Sequence, residues 1–360
     1  MVLFDRLRHL DRVQARLRDA ARAGRLAHAY YFWGPEGGGK TRTAQALAQL
    51  ILCASPDPPC GECVECKRVE RFTHPDFHVV MPGLKATEGE ERAQLEAYAA
   101  DPLALLPTPR QATIAIDRVR DLKMESSKAR VVAEGNRVIV LRNAERMTPE
   151  AAQAALKLIE EPQPGTFLIL TGRAPQRLLP TILSRCQRIR FPVLPRAFIE
   201  QALAEKGVAG DEARLIAGLS GGGLGRALEL AGQDVVALRD QALALLAAPL
   251  SRATEAARRA ERAGAGWDCD AALAAAEMVL SWYGDLIAMQ AGAGGEGIIH
   301  ADRLPELSAA AKEADLGDIR RRVTAIEEML EALEQNVNPQ LALRAALLRM
   351  NGLVEDDPLF

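Results

Sequence analysis

Apolar positions first recur at helical spacing over residues 5 to 23, where Leu7, Leu10, Val13, Leu17 and Ala20 are separated by arginines and aspartates; this predicts an amphipathic lead-in helix. After Gly24 the segment RLAHAYYFW reads as a strand. Its apolar run, Ala29 to Trp33, leads into GPEGGGKT and then into a helical pattern with Ala44, Leu47, Ala48 and Ile51 on one face. Asp76 to Met81 predicts a second strand and Ile116 to Met124 a helix. RVIVL, Arg137 to Leu141, is a continuous apolar run bounded by polar residues, the pattern of a strand buried on both faces of a parallel sheet. A helix follows with Thr148 as N-cap and Pro149 in its first turn; Ala152, Ala155, Leu156 and Ile159 share a face, and the pattern stops before Pro162. Phe167 to Leu170 and Gln187 to Phe191 complete the strands. Strands alternating with helices predict an α/β domain built on a central parallel sheet.

The pattern changes at Pro192 and Pro195, which mark the first domain boundary. Residues 196 to about 240 predict two or three short helices around the turn SGGGLGR, Ser220 to Arg226, and from about 245 onward the pattern is entirely helical. Met278, Trp282 and Leu286 form one stripe, and Val323, Ile326, Leu330, Leu333 and Val337 form another; both read as core or subunit interface. AGAGGEG, Ala291 to Gly297, predicts a loop between helices, and Pro82 to Pro109, polar, acidic and proline-bearing, predicts a surface excursion. The chain shows no internal repeat.

At 360 residues there is room for two or three domains, each with its own core. With 48% apolar, 26% charged and only 4% aromatic residues, the composition is that of a helix-rich protein in water. A net charge of -3 and a pI near 6.1 argue against a chain that coats itself with nucleic acid. Arg118, Arg120, Lys123, Lys128 and Arg130 cluster near one helix, but Asp117, Asp121 and Glu125 interleave with them, so a solvated face is expected. No run approaches a membrane span, and the opening MVLFDRLRHLDRVQARLRD is charged throughout, so neither signal peptide nor anchor is expected there and the expected location is cytoplasmic.

Four of the six cysteines fall close together, Cys53, Cys60, Cys63 and Cys66, in the spacing C-x6-C-x2-C-x2-C with Pro58, Pro59 and Gly61 supplying turns. Four thiolates so spaced can close a tetrahedral structural Zn2+ site and pin a loop too small to fold alone. A catalytic zinc would need an open position, which four cysteines do not leave; His74 and His78 are therefore expected to be ordinary surface or strand residues.

GPEGGGKT fits G-x-x-x-x-G-K-[ST] at Gly34, Gly39, Lys40 and Thr41, in strand-turn-helix context. Such a loop turns backbone N–H groups onto phosphate oxygens at a helix N-terminus. The candidate nucleotide set is Gly34, Gly37, Gly38, Gly39, Lys40, Thr41 and Thr43, with Lys40 toward the terminal phosphates and Thr41 toward Mg2+. At the end of RVIVL, where a working P-loop ATPase keeps its acids, the chain reads Arg142, Asn143, Ala144, Glu145. Arginine cannot ligate a metal and an amide cannot act as a base, so hydrolysis by this chain is expected to be very poor; Glu145 sits too far past the strand end to substitute.

Together HAYYFWGPEGGGKTRTAQALAQLILC with its cysteines, TIAIDRVRDL, EAAQAALKLIEEP, LLPTILSRCQRIRF, GGGLGRALEL and NVNPQLAL resemble bacterial clamp-loader subunits of the AAA+ class, and within that group the delta-prime type of DNA polymerase III. The resemblance covers almost the whole chain. It implies a AAA+ domain with zinc module over residues 1–192, a helical lid over 193–243 and a helical collar over 244–360. It further implies Thr171 and Arg226 as sensor-like nucleotide contacts, although Gly172 departs from the usual polar neighbour. Arg185, in Ser184-Arg185-Cys186, becomes an arginine finger directed at a neighbour's ATP. The implied partners are gamma/tau and delta subunits, the sliding clamp and primer-template DNA, with no membrane. Two rivals stay open: a working gamma/tau-type ATPase motor, opposed by Arg142 and Asn143 and by the lack of a long tail after the collar, and a P-loop nucleotide kinase with a zinc-stapled lid, which would have little use for a large helical C-terminal region.

Overall fold

The structure is a computed structural model that describes residues 2–83, 88–101, 106, 108, 112–127, 135–247, 252–264, 267–335 and 337–354. Lys128, Arg130 and part of the segment 82–109 lie outside the described residues. The chain divides into two compact units, Met1–Pro195 with Gly222–Arg226, and Arg196–Gly221 with Ala227–Phe360.

In the first unit five strands run parallel in the order β2-β3-β4-β1-β5: β1 (Ala29–Trp33), β2 (Phe77–Val80), β3 (Arg137–Leu141), β4 (Thr166–Gly172) and β5 (Gln187–Arg190). Because successive side chains point to opposite faces, the apolar strands feed two cores. Tyr30, Phe32, Val138, Val140 and Ile169 pack on one face with Leu17 of α1 (Asp11–Arg22) and Leu47 of α2 (Lys40–Leu52). Ala29, Tyr31, Ile139, Leu141, Leu168 and Leu170 pack on the other with Leu122 of α5 (Ile116–Ser127), Ile159 of α6 (Pro149–Glu160) and Ile182 of α7 (Pro180–Leu183). All five residues of β3 are buried, as the RVIVL run predicts. The predicted cap is in place, with Thr148 accepting the Ala151 N–H and Pro149 opening α6.

Two further helices complete this unit, α3 (Val64–Glu70) and α4 (Glu88–Ala100). The second is a mostly exposed helix within the expected surface excursion. Its apolar anchor is thin: Tyr98 is buried against Met81 and Leu106, with Leu95 beside them. The Arg42 guanidinium stacks 3.4 Å from the Tyr98 ring centroid and donates to the Tyr98 and Asp101 carbonyls. On the neighbouring α5, Arg118 pairs with Glu91 at 2.5 Å and Arg120 with Asp117 at 3.6 Å.

The second unit is helical. It opens with four short helices where two or three are expected: α8 (Arg196–Ala204), α9 (Gly210–Leu219), α10 (Leu224–Ala231), whose first turn groups with the first unit, and α11 (Val235–Ala242). Next come α12 (Ala253–Gly264), α13 (Cys269–Gln290), α14 (Leu304–Glu313), α15 (Leu316–Glu334) and α16 (Pro339–Met350). By length and composition α13 could cross a membrane, which the sequence expectation missed; Leu273, Met278, Val279, Trp282, Tyr283 and Leu286 are buried, so it is a core helix. Along α15, Ile326, Met329 and Leu333 are buried, whereas Val337 lies past the helix end and is exposed.

Polar groups inside this unit are tied together. Arg239, 1% exposed, donates to both Asp302 oxygens at 2.8 and 2.7 Å. Asp285 accepts the Ile299 and His300 backbone N–H groups. Ser281 donates its hydroxyl to the Met278 carbonyl, so the fully buried His300 must carry its proton on Nε2, 2.9 Å from Ser281 Oγ. Burial pushes the His300 pKa down to about 4, keeping the ring neutral.

Candidate functional site

The P-loop leaves the carboxyl end of β1, between β4 and β5 and with β3 beyond β4, the usual place for ligands on a parallel sheet. Gly37 and Gly39 take φ of 71° and 85°, the left-handed region that glycine enters without strain. A Cβ on Gly37 would also meet the Gly225 nitrogen at 2.3 Å and the Arg226 nitrogen at 2.9 Å, and the Gly225 N–H donates to the Gly37 carbonyl at 3.4 Å. The backbone of Arg226 thus lies against the loop.

Lys40, 7% exposed, turns onto its own loop and donates to the Gly34 and Pro35 carbonyls at 2.8 and 2.5 Å. Burial drives its pKa down to about 8; the Glu145 carboxylate opposes that shift and Arg142 adds to it. Thr43 is fully buried and its hydroxyl donates back to the Gly39 carbonyl at 2.9 Å, so it serves the first turn of α2.

At the end of β3, Arg142 is 9% exposed and donates through Nη2 to the Leu106 carbonyl. Asn143 has a left-handed backbone (φ 50°); its N–H donates to Thr171 Oγ at 3.1 Å and its side-chain amide to Thr108 at 3.3 Å. Thr171, 1% exposed, thus spends a lone pair on the turn after β3. Glu145 comes closer than its spacing suggests. A short 3-10 turn, Ala144–Arg146, brings it back to β4, where Oε1 accepts the Arg173 N–H at 3.0 Å, and its charge reaches Lys40. A Cβ on Gly172 would strike Tyr31 Oη at 2.3 Å and Glu145 Oε2 at 2.6 Å, which accounts for glycine there.

At the other end of α2, Cys53 is the C-cap residue, and the four cysteine sulfurs all lie within 4.8 Å of one another. Separations of 3.6 Å (Cys53–Cys60), 3.9 Å (Cys53–Cys63) and 3.9 Å (Cys60–Cys66) match the ~3.8 Å expected of sulfurs set tetrahedrally at Zn–S ~2.3 Å. Backbone N–H groups of Cys60, Cys63 and Cys66 point at the sulfurs of Cys53, Cys60 and Cys63, each at 3.4 Å. Those of Glu62 and Cys63 pull Cys60 down to about 6, while burial pushes Cys53 and Cys66 up, an opposition that a divalent cation would relieve by holding all four as thiolates. The four cysteines are therefore compatible with a structural zinc.

His74 is not the surface or strand residue expected. It is 5% exposed, accepts the Asp76 N–H on Nδ1 at 3.0 Å and presents Nε2 to Glu65 at 3.0 Å, tying α3 to the start of β2. Its neighbour His78 lies in β2, half-buried.

Arg185 follows α7 on the surface of the first unit. Nη1 donates to the Thr181 carbonyl at 3.0 Å and to Ser184 Oγ at 3.3 Å, and Nη2 pairs with Glu160 at 2.8 Å. Cys186 beside it is buried in the core, while the Arg185 side chain stays at the surface.

Residues 10–195 match the model of the family "DNA polymerase III, delta subunit", and residues 249–352 match that of its C-terminal region. Neither is a nucleotide-kinase family. The DNA polymerase III subunit delta' of Bacillus subtilis (strain 168) is 35% identical over 226 residues, covering 62% of this chain and 59% of the relative. That of Pseudomonas aeruginosa is 36% identical over 222 residues, covering 60% and 59%. A gamma/tau subunit from Mycobacterium tuberculosis (strain H37Rv) is 30% identical over 209 residues, covering 56% and 32%. The chain thus spans a little over half the length of the delta' relatives it matches. A solved gamma-subunit-related protein of Thermotoga maritima aligns over 93% of this chain and 98% of its own at 14% identity, with a TM-score of 0.41, too loose a likeness to carry weight. With more than half of its residues inside one family model, the chain belongs to the DNA polymerase III delta-subunit family, and its relatives make it one of the delta-prime type.

Proposed function

We propose that this chain works in DNA replication as the delta-prime subunit of a clamp loader, a AAA+ subunit that hydrolyses ATP poorly or not at all and supplies Arg185 in trans to a neighbour's ATP. Its partners are gamma/tau and delta subunits, and through the assembled loader it acts on the sliding clamp and primer-template DNA in the cytoplasm. Residues 193–243 act as lid and 244–360 as collar. Zn2+ on Cys53, Cys60, Cys63 and Cys66 is structural. ATP with Mg2+ is held by Gly34, Gly37, Gly38, Gly39, Lys40 and Thr41, with Thr43 bracing the first turn of α2 beneath them and Thr171 and Arg226 as sensors.

The observation that carries this reading is the buried Arg142 at the end of β3, committed to the Leu106 carbonyl where a metal-holding acid would be required. Glu145 favours the motor reading to one degree, since its carboxylate acts on Lys40. The two readings part in one experiment. ATP turnover is measured for the isolated chain and for the loader reconstituted with its partner subunits. Expected is negligible turnover by the isolated chain and, with Arg185→Ala, an assembled loader slowed by about a thousandfold at the fingered site. Turnover by the isolated chain that disappears with Glu145→Gln would establish the motor instead.

A further inference from the structure

Arg185 is exposed, yet its guanidinium is engaged on both edges. Nη1 is fixed to its own helix end by Thr181 and Ser184, and Nη2 meets a carboxylate, Glu160, at 2.8 Å. The two side chains are 41% and 38% exposed, so the pair stands open to solvent. Glu160 is the last residue of α6 and Glu161 follows it, which places two negative charges at the negative end of a helix dipole. Arg185 sets a cation against Glu160 there.

We infer that Glu160 is a resting latch for Arg185, a carboxylate that occupies the guanidinium edge a phosphate oxygen takes when the finger is used. This rests on the finger reading above. Carboxylate and phosphate are both anions that accept from the same fork of N–H donors, and their like charges disfavour sharing it. Engagement of a neighbour's ATP therefore means exchange, in which Nη2 leaves Glu160 and takes the phosphate while Nη1 keeps its hold on α7. An exposed pair suits this role because solvent and salt weaken it, so it fixes the side chain without trapping it. Glu160 thereby acts as a positioning residue that sets the ATP concentration at which the finger is drawn out.

The test uses the complete loader reconstituted with native chain, Glu160→Gln, Glu160→Lys, Arg185→Ala and the Glu160→Gln/Arg185→Ala double variant. ATP turnover is followed against ATP concentration at low and high salt. The latch predicts that Glu160→Gln lowers the half-saturating ATP concentration about two- to fivefold, the range of an exposed ion pair. Glu160→Lys should lower it at least as far, high salt should shrink the difference, and the Arg185→Ala background should abolish it. If Arg185→Ala slows the loader while Glu160→Gln leaves half-saturation unchanged or raises it, the latch is wrong and the finger stands. If Arg185→Ala turns over ATP normally, the finger reading fails and the latch with it.

Discussion

Helix α2 carries a candidate ligand site at each end, and the two are in opposite states of readiness. At the C-terminal end the sulfurs of Cys53, Cys60, Cys63 and Cys66 already converge at zinc-like separations, and backbone N–H groups point at them. At the N-terminal end the P-loop glycines have the required backbone, but Lys40 is satisfied by its own loop and the end of β3 offers Arg142 and Asn143. One end already has a geometry compatible with zinc; at the other, Lys40 must leave its own loop before it can reach a phosphate. A matching motif specifies backbone shape, whereas chemistry also depends on what the lysine and the acids across the sheet are doing.

The largest effect is expected at the closed end. Cys63 is also the N-cap of α3, its sulfur accepting the Cys66 N–H. Cys63→Ser keeps a good capping oxygen while removing a metal ligand, so it separates capping from ligation. The variant should lose about one zinc per chain by metal analysis, with an unfolding free energy lower by something on the order of 4 kcal/mol, as for loss of a metal site. Amide exchange should rise across residues 53–70 and stay slow in β1, β3 and β4. Freshly purified native protein without bound zinc would erase the contrast between the two ends.

Local signals were readable in advance and long-range closure was not. The cysteine spacing, the cap Thr148-Pro149 and the RVIVL run each depend on neighbours within a few residues, and each appears in the structure as expected. Helix α4 was hidden because Leu95 and Tyr98 are its main apolar anchors, too few for a visible period. Glu145 differs for the opposite reason: distance along the chain exaggerates its distance from Lys40, and a 3-10 turn shortens it, which leaves open whether it can act as an acid there. The return of Lys40 to Gly34 and Pro35 and the burial of His74 behind Glu65 likewise depend on how segments meet. The candidate phosphate site is legible in the sequence as a place, and the folded chain adds what Lys40 and Glu145 are doing in it.

The next effect in size belongs to the open end. With its pKa near 8, Lys40 is charged below that pH and loses its proton as pH rises through it. A bound phosphate favours the charged form, so ATP affinity should be level below pH 8 and fall above it. Charged hydrogen bonds of this kind contribute about 1.5–3 kcal/mol, hence a loss of roughly ten- to a hundredfold between pH 7 and 10. Lys40→Met should begin weak and show no such slope. Calorimetric titration with ATP across that pH range is the measurement, and a native chain with the flat profile of Lys40→Met would mean that the lysine never leaves its own loop.

The smallest effect isolates the turn after β3. Asn143 sits at φ 50°, where a residue with a Cβ is strained but asparagine is relatively tolerated, and its N–H rather than its side chain reaches Thr171. Asn143→Ala should cost about 1–2 kcal/mol of stability, and Asn143→Gly should recover part of that loss, since glycine adopts the same backbone freely. ATP affinity should stay within about twofold in both, because the residue shapes the turn and holds no phosphate; denaturant unfolding and nucleotide titration on the same samples give the two numbers. A larger drop in ATP affinity for Asn143→Ala than for Lys40→Met would reverse the assignment and place the side chain of Asn143 inside the phosphate site, leaving the two ends of α2 less different than their geometry makes them.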